Sequence, residues 1–211
     1  MIRIKTITVK NFMSIGNVTQ AVNFDREDLT LVLGVNHDLG GDDAGSRNGT
    51  GKTTILNALS YVLFGSALTN IKKDNLVNKT NGKNMLVTAE FDISGRTYKI
   101  ERGRKPSILN LYVNGEEQES GDSDSQGDSR ETQKYIEDDL LMMSHDMFKQ
   151  IIALNTYTEP FLAMSVSNQR GIIEQLLGIT QLSIKADKLK ELIRETKDSI
   201  LEEEYKIKSL Q

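Results

Sequence analysis

Apolar and polar residues alternate at the start of the chain. Apolar positions recur mostly every second residue in two segments separated by Gly16-Asn17: Ile2, Ile4, Ile7 and Val9, then Val18, Val22 and Phe24. This period is typical of half-buried strands, and the turn between them predicts a hairpin. The next run, LTLVLG from Leu29 to Gly34, is continuously apolar. It predicts a buried central strand.

The period changes after Lys52. TTILNALSYVLFG carries apolar residues at helical spacing and ends in Gly65, which predicts a helix with a glycine cap. Residues 85–103 hold two alternating segments around Ser94-Gly95, and residues 108–117 add a third strand, so an antiparallel meander is expected. The polar stretch 116–129 is expected to be a mobile loop. Helical patterning returns at Glu131, stops at the loop LNTYTEP, and resumes at Ser167.

The last part of the chain, 179–211, contains neither proline nor glycine. A seven-residue register fills its two core positions with Ala186, Ile193, Ile200 and Ile207, and with Leu182, Leu189, Thr196, Glu203 and Leu210. This pattern predicts a coiled coil, and a single amphipathic surface helix is the alternative. No other segment of the chain could supply a partner helix of that length. The partner is therefore expected from another chain or from sequence outside this one.

Composition narrows the function classes. With 211 residues, 37% hydrophobic, 27% charged and a net charge of -4, the chain is expected to be globular, with no membrane-spanning run and no secretory signal. The absence of cysteine excludes disulfides, cysteine metal sites and a cysteine nucleophile, and fits a cytoplasmic location. Net acidity argues against broad coating of nucleic acid, although local basic patches can coexist with it.

Candidate chemistry lies between the apolar run and the helix, where Asn48-Gly49-Thr50-Gly51-Lys52-Thr53 matches the end of a phosphate-binding loop. Such a loop surrounds phosphates with backbone N–H groups, adds a lysine, and offers a hydroxyl to magnesium. The usual first glycine is replaced by Ser46, and Gly34 is the other candidate for that position. In the second case most of Val35 to Arg47 is an insertion that bulges outward. A glycine-rich turn that caps a helix is the structural alternative.

Several stretches, in this order, carry a family resemblance: VKNFMSIGN, NGTGKTTILNALSYVLFG, IKKDNLVNK, SGRTYKIERG, DMFKQIIALN and QRGIIEQLLGI before the coiled coil. The chain resembles ATPase heads of the structural-maintenance-of-chromosomes (SMC) class. Within that class it resembles the DNA-break-processing branch that includes bacterial SbcC and the ATPase subunit of the recombination endonuclease of T-even bacteriophages. The resemblance covers nearly the whole chain.

The resemblance implies an α/β fold, namely the N-terminal lobe of a P-loop ABC-type ATPase head. This lobe has a mixed sheet with an antiparallel meander and helices, and it is followed by the start of an antiparallel coiled coil. Residues 1–178 would form the lobe and residues 179–211 the first coiled-coil helix. Relatives complete the head with a C-terminal lobe that carries a signature motif and an acidic Walker B pair, and this chain contains neither motif. The chain alone is therefore expected to be inactive.

By resemblance, ATP and Mg²⁺ are the cofactors. The residues that would bind ATP are Met13, Asn48, Gly49, Thr50, Gly51, Lys52, Thr53, Thr54, Val77, Asn78 and Lys79. Thr54 would reach the α-phosphate, and residues 77–79 would contact the base, although a solvated loop is equally compatible with that segment. Met13 stands where relatives have an arginine, so only a main-chain contact is expected there.

Catalysis is assigned by resemblance to Lys52 and Asn155, and Mg²⁺ ligation to Thr53 and Asn155. Asn155 stands where relatives have a glutamine, and it is shorter by one methylene. Gln150 is the competing candidate, but it falls in a helical pattern. His37 and His145 lack carboxylate or cysteine companions in the sequence, and neither is assigned to a metal or to catalysis.

The expected function is that of an ATP-binding and hydrolysing subunit of a DNA double-strand-break processing complex, in which ATP-driven head dimerisation regulates a partner nuclease. The expected partners are the nuclease subunit, the chain's own C-terminal lobe, a second head in a homodimer, and double-stranded DNA. A basic cluster could meet DNA phosphates or remain a solvated face: Arg96, Lys99, Arg102, Arg104 and Lys105. A chromosome-organising coiled-coil ATPase without a nuclease partner is the alternative. A membrane-transporter ATPase is disfavoured by the coiled coil.

Overall fold

The computed structural model describes residues 2–36, 47–118, 128–154 and 158–209. Contacts divide the chain into a sheet unit, Met1–Thr158, and a helical unit, Glu159–Gln211. The sheet unit contains, in order, β1 (Ile2–Lys10), β2 (Gln20–Asn23), α1 (Lys52–Phe64), a 3₁₀ turn (Lys73–Leu76), β3 (Met85–Ile93), β4 (Arg96–Arg104), β5 (Ile108–Val113), β6 (Glu116–Glu117), α2 (Asp128–Lys134), a π-helical segment (Tyr135–Leu141) and α3 (His145–Ile151). The helical unit contains a 3₁₀ turn (Phe161–Ala163), α4 (Val166–Leu176) and α5 (Ile179–Ser209).

The described strands form one six-stranded sheet in the order β2-β1-β3-β4-β5-β6, and every neighbouring pair is antiparallel. The two predicted hairpins are confirmed: β1 pairs with β2, and β3 pairs with β4. Ser94 and Gly95 turn between β3 and β4 with φ of 50° and 81°, the left-handed values that a two-residue hairpin turn requires.

The predicted single strand over residues 108–117 is wrong. Asn114 and Gly115 adopt φ of 51° and 88° and reverse the chain between β5 and β6. Asn-Gly is a strong hairpin signal, because both residues tolerate positive φ at low cost. The segment is therefore two short paired strands, and β6 occupies the edge of the sheet.

The core lies between the sheet and α1. Alternate residues of the strands are buried on the face toward the helix, among them Ile7, Val87, Phe91 and Ile100, and α1 contributes Ala58, Leu59 and Val62. Full burial of one such large aliphatic or aromatic side chain stabilises the fold by about 1.5–3 kcal/mol. This packing fixes α1 against the sheet. The glycine-rich loop that precedes α1 therefore ends at a fixed helix.

The prediction of a buried central strand at LTLVLG is wrong for the described structure. Residues 29–36 form no strand, and Leu29, Leu31 and Leu33 are 103%, 79% and 62% exposed. A continuous apolar run folds as a buried strand only when neighbouring strands and helices cover both of its faces. Among the described residues nothing covers these side chains, so the segment is apolar and exposed and pairs with no described strand.

The basic cluster does not form one surface. Side chains alternate across β4, so Arg102 lies on the core face and is only 9% exposed, whereas Lys99 points to the opposite face and pairs with Glu101 at 2.7 Å. Arg104 pairs with Asp74 at 2.8 Å. Arg102 and Lys99 therefore do not belong to one basic surface, and the five basic residues do not form the single cluster that the sequence suggested.

His145 joins α3 to α1. Its Nε2 lies 2.8 Å from the Ser60 hydroxyl, which itself donates to the Ser66 carbonyl, and its ring stacks on Phe64 with centroids 5.1 Å apart. A hydroxyl has a single proton to donate, so Nε2 donates to Ser60. These contacts give His145 a structural role, and His37 lies outside the described residues.

Burial lowers the pKa of His145, with a smaller contribution from Lys149, below the ordinary value of 6.5. The unfolded chain then binds a proton at this histidine more readily than the folded chain. Stability should fall as the pH drops through 6.5 toward the lowered folded pKa. Urea unfolding at about pH 7.5 and about pH 5.5 should show a smaller loss of stability for His145→Gln than for the unmodified chain. An equal loss in both would contradict this assignment.

Residues 159–209, the described part of the helical unit, contain two α-helices. Ser165 caps α4, since its hydroxyl accepts from the Asn168 N–H. The predicted long helix is confirmed: α5 runs for 31 residues. Its apolar side chains are exposed within the described residues, among them Leu182, Leu189, Ile193, Ile200 and Ile207. No described helix combines the length and apolarity that crossing a membrane demands.

Candidate nucleotide-binding site

The glycine-rich loop ends directly at α1. Gly49 and Gly51 adopt φ of 75° and 87°, values that favour glycine, and the helix begins at Lys52. Among the described residues, no backbone acceptor receives the N–H groups of Gly51, Lys52 or Thr53. These donors lie at the start of α1, where the helix dipole is positive. This arrangement suits an anion.

Lys52 folds back over the loop. Its Nζ donates to the Arg47 carbonyl in a close contact and lies 3.3 Å from the Thr50 hydroxyl. The charge is therefore held at the mouth of the loop without a carboxylate partner among the described residues. Thr53 is exposed at the start of the helix, while Thr54 is buried beside it. The donor set of lysine, backbone N–H groups and a free hydroxyl fits a magnesium-bound nucleotide.

A cleft of about 640 Å³ opens at the loop. Gly49, Thr50 and Gly51 form one wall, and residues of β1, the following turn and β2 form the other, together with Val35 and Asn36. Gly34 contacts the loop directly: a Cβ on this residue would lie 1.8 Å from the Thr50 hydroxyl oxygen and 2.7 Å from the Thr50 Cβ. The expected neighbourhood of Gly34 and the phosphate loop is therefore present. Ser46 lies outside the described residues.

The turn after β1 contributes a residue that sequence reasoning missed. The Ser14 hydroxyl lies 3.3 Å from the Thr54 hydroxyl and lines the cleft. Its neighbour Met13 is in the left-handed region, with φ of 49°, and donates its N–H to the Leu76 carbonyl at 2.7 Å. The Met13 N–H is thus already used within the protein. The only sequence signal for Ser14 was its place beside Met13.

The segment assigned to the base lies against the same turn. The Asn78 side chain donates to the Met13 carbonyl at 2.9 Å, and its oxygen accepts from the N–H groups of Thr80 and Asn81. Val77 is buried, and Lys79 is exposed. Asn78 therefore positions the turn after β1, and Lys79 is the member of the trio that is accessible to solvent.

Asn11 holds this turn in place through hydrogen bonds of its side chain and backbone. It is 1% exposed and has φ of 52°. Its Nδ2 donates to the carbonyls of Lys83 and Asn84 at 3.0 and 3.2 Å, and its Oδ1 accepts from Asn81 at 2.8 Å. Its carbonyl accepts from the Asn78 N–H. The motif NFMS, the phosphate loop and the segment 77–84 thus form one hydrogen-bonded region, although they are far apart in the sequence.

The second catalytic position is not described. Asn155 lies outside the described residues, and its assignment stays a prediction. Gln150 lies in α3, as its helical pattern indicated. The described residues contain no cluster of three or more histidine, cysteine, aspartate or glutamate side chains arranged for a metal. The Thr53 hydroxyl is the described side chain that the resemblance assigns to Mg²⁺.

A protein family described as "AAA domain" matches residues 6–211. The chain belongs to this family. The AAA domain match includes the phosphate loop, the turn after β1 and the long α5. It therefore covers every described residue of the candidate site.

Named relatives of this chain include an exonuclease subunit and a DNA double-strand break repair ATPase. The chain is 34% identical over 189 residues to "Exonuclease subunit 2" of Enterobacteria phage T4, covering 89% of this chain and 30% of that protein. It is 26% identical over 201 residues to the "DNA double-strand break repair Rad50 ATPase" of Methanococcus maripaludis, covering 94% of this chain and 18% of that protein. The chain thus spans less than a third of the length of these relatives. The expected kinship to the SbcC-like and T-even phage ATPase subunits is confirmed, and the comparison adds Rad50.

Solved structures agree on the fold. An Smc head domain from Pyrococcus furiosus with an extended coiled coil superposes with a TM-score of 0.56 at 20% identity, covering 94% of this chain and 48% of that one. A chain from work on ATP-driven dimerization and DNA stimulated activation of SMC ATPases superposes with a TM-score of 0.52 at 21% identity, covering 82% and 99%. The expected fold class, an ATPase head lobe, is confirmed.

Proposed function

We propose that the chain is the N-terminal lobe of an ATPase subunit that regulates a partner nuclease during processing of DNA double-strand breaks. The observation that carries this proposal is that the phosphate loop and Ser14 line one cleft. The Asn11–Asn78 network holds the turn that carries Ser14. The exonuclease and double-strand-break repair names of the relatives support the biological role. The division of the complete protein at residues 178 and 179 stays a prediction.

Within the cleft, the residues have distinct tasks. Lys52 would leave its loop carbonyl and meet the terminal phosphates, because a phosphate is a stronger acceptor than a backbone carbonyl. The N–H groups of Asn48 to Thr53 would surround the phosphates, and the Thr53 hydroxyl would hold Mg²⁺ with Asn155. Bound ATP supplies the phosphoanhydride whose hydrolysis would separate two heads. Among residues 77–79, Lys79 is the exposed one, and it would therefore contact the base.

Uncovered apolar surface supports the proposed partners. The exposed side chains of residues 29–35 would be covered by the subunit's own C-terminal lobe, which would add the strands that this run lacks. The exposed stripe of α5 would pair with a returning antiparallel helix. A second head would supply the signature motif. The chain alone would therefore turn ATP over negligibly, and a cytoplasmic location stays a prediction.

Double-stranded DNA is the proposed substrate of the complex. The described part of the hairpin β3–β4 offers Arg96 and Lys99 to solvent, whereas Arg102 is buried. DNA contact would therefore involve separate side chains rather than one basic face.

A chromosome-organising ATPase without a nuclease is the second candidate function, and the Smc head fold favours it. The closer sequence kinship to an exonuclease subunit favours the first.

The phosphate-loop assignment predicts the effect of Lys52→Ala in the complete subunit. Loss of one charge-assisted hydrogen bond should cost about 2 kcal/mol, or roughly thirtyfold in ATP affinity. ATP-stimulated DNA processing should fall with it. Equilibrium binding of labelled ATP and nuclease assays measure both quantities. Lys188→Ala, which removes an equivalent charge from α5, should change neither.

If Lys52→Ala left both ATP affinity and DNA processing at the level of the unmodified subunit, the loop would not be a nucleotide site.

Affinity purification of the tagged subunit separates the two candidate functions. Recovery of a nuclease whose activity responds to ATP supports the first. ATP-dependent DNA compaction without a nuclease would replace it with the second.

A further inference from the structure

A second cavity, of about 340 Å³, lies at the other end of α1 from the phosphate loop. A helix of 13 residues is about 20 Å long, so the two sites are separate. The end of α1, the 3₁₀ turn at Lys73–Leu76, β4 and the start of α2 form its walls. All of these elements belong to the sheet unit. Nothing in the ATPase role described above uses this cavity.

The cavity is strongly basic. Four of its lining residues carry positive charge: Lys73, Arg102, Arg104 and Arg130. No aspartate or glutamate lines it among the described residues. This concentration of positive charge occurs in a chain whose net charge is -4. Such a pocket raises the local concentration of anions, because low-dielectric walls focus the field of the charges.

Two of the four charges are partly offset within the protein. Arg102 donates through Nε to the Val62 carbonyl at 3.0 Å, at the negative end of α1, and contacts the Gln133 amide oxygen. Burial lowers the pKa of Arg102 to about 10, so it remains charged at neutral pH. Arg104 pairs with Asp74. Lys73 and Arg130 have no ion-pair partner among the described residues.

The geometry holds two cations close together around an open space. Gly65 ends α1 with φ of 66°, and the point where a Cβ would lie is 2.9 Å from Arg102 Nη1 and 3.7 Å from Lys73 Nζ. Glycine leaves this space free of a side chain. Like charges at such separation repel each other. An anion between them would convert the repulsion into attraction.

A buried tyrosine contributes a further donor. Tyr61 lines the cavity and is 3% exposed. Burial raises the pKa of Tyr61, so the hydroxyl keeps its proton and can donate it. An anion in the cavity would accept from Tyr61.

We propose that this cavity binds a phosphate group. Guanidinium groups present paired N–H donors that match phosphate oxygens, and lysine adds a compact charge. A dianion with several oxygens can accept from Arg102, Lys73, Arg130 and Tyr61 together, which a single carboxylate cannot do. The group could belong to a free diphosphate or to the 5′ end of a DNA strand. The proposal is independent of the phosphate loop.

The test uses the 211-residue chain carrying Lys52→Ala, so that the phosphate loop does not contribute. Pyrophosphate, a 5′-phosphorylated oligonucleotide and the same oligonucleotide with a 5′-hydroxyl are titrated by calorimetry. The Arg102 Nε–H signal is followed by NMR. We expect pyrophosphate, the phosphorylated oligonucleotide or both to shift this signal. Lys73→Gln combined with Arg130→Gln should reduce affinity at least tenfold. Lys72→Gln, an exposed neighbour outside the cavity, should change nothing.

Each outcome decides the proposal. Binding of pyrophosphate identifies a free diphosphate, and binding of the phosphorylated oligonucleotide alone identifies a DNA end. No binding by either ligand overturns the proposal. Equal binding of both oligonucleotides without pyrophosphate binding, or equal losses in Lys72→Gln and the double variant, also overturns it. ATP binding by the complete subunit with an intact Lys52 should survive Lys73→Gln. Failure of this proposal therefore remains distinguishable from failure of the ATPase assignment.

Discussion

Gly34→Ala is expected to weaken ATP binding by the complete subunit roughly 100-fold, the effect of about 3 kcal/mol. The added methyl group would lie 1.8 Å from the Thr50 hydroxyl oxygen and 2.7 Å from the Thr50 Cβ. Rotation of Thr50 could move its hydroxyl but not its Cβ, which is bonded to the backbone. The phosphate loop must therefore shift, and its N–H groups would no longer converge on the phosphates. Binding of a fluorescent ATP analogue measures the loss.

Two variants make this result specific. Gly16→Ala should leave affinity unchanged, because its Cβ would meet no atom closer than 4.0 Å and its φ lies outside the left-handed region. Thr50→Gly added to Gly34→Ala should restore part of the affinity, since it removes the colliding Cβ. Unchanged binding by Gly34→Ala would mean that Gly34 does not buttress the loop. Ser46 would then be the remaining candidate for its first position.

Asn11→Ala should destabilise the sheet unit by about 3 kcal/mol. The change removes the donor to the Lys83 and Asn84 carbonyls, and it places alanine at φ of 52°, which asparagine tolerates better. Urea unfolding of the 211-residue chain, followed by tyrosine fluorescence, should show the shift in midpoint. In the complete subunit, ATP affinity should fall as well, because Ser14 loses its support.

Asn17→Ala provides the matched control. Asn17 is exposed, and its oxygen lies 3.5 Å from the Asn11 Nδ2, at the limit of a hydrogen bond. Its removal should cost at most about 0.5 kcal/mol, as is usual for surface changes. Similar destabilisation by Asn11→Ala and Asn17→Ala would show that the network does not hold the turn.

Local patterns predicted the parts of the fold that depend on neighbouring residues. Alternation predicted β1 to β4, and the apolar stripe with Gly65 predicted α1, because period and capping are properties of short segments. The phosphate loop followed from its own spacing. Asn114-Gly115 shows that even a local signal can be missed when a longer strand is favoured.

The remaining features depend on contacts that spacing does not encode. Arg102 belonged to a run of basic residues, and only its place on the core face of β4 separates it from Lys99. Ser14 acquires its position from Asn11 and Asn78, and these three meet only after β1, β3 and the intervening turn are assembled. The prediction of a buried strand at LTLVLG was wrong because an apolar composition indicates that a segment needs to be covered. It does not show which elements would cover it.

The uncovered run at residues 29–34 also bears on how the protein must be made. It is six residues without a charge or a proline, rich in β-branched and aliphatic side chains, and its backbone is unpaired within the described structure. Segments of this kind associate edge to edge with copies of themselves. The uncovered run therefore favours aggregation while the chain is being synthesised. If the proposed C-terminal lobe covers this run, we expect the yield of soluble protein to depend on how soon that lobe is available after the run leaves the ribosome.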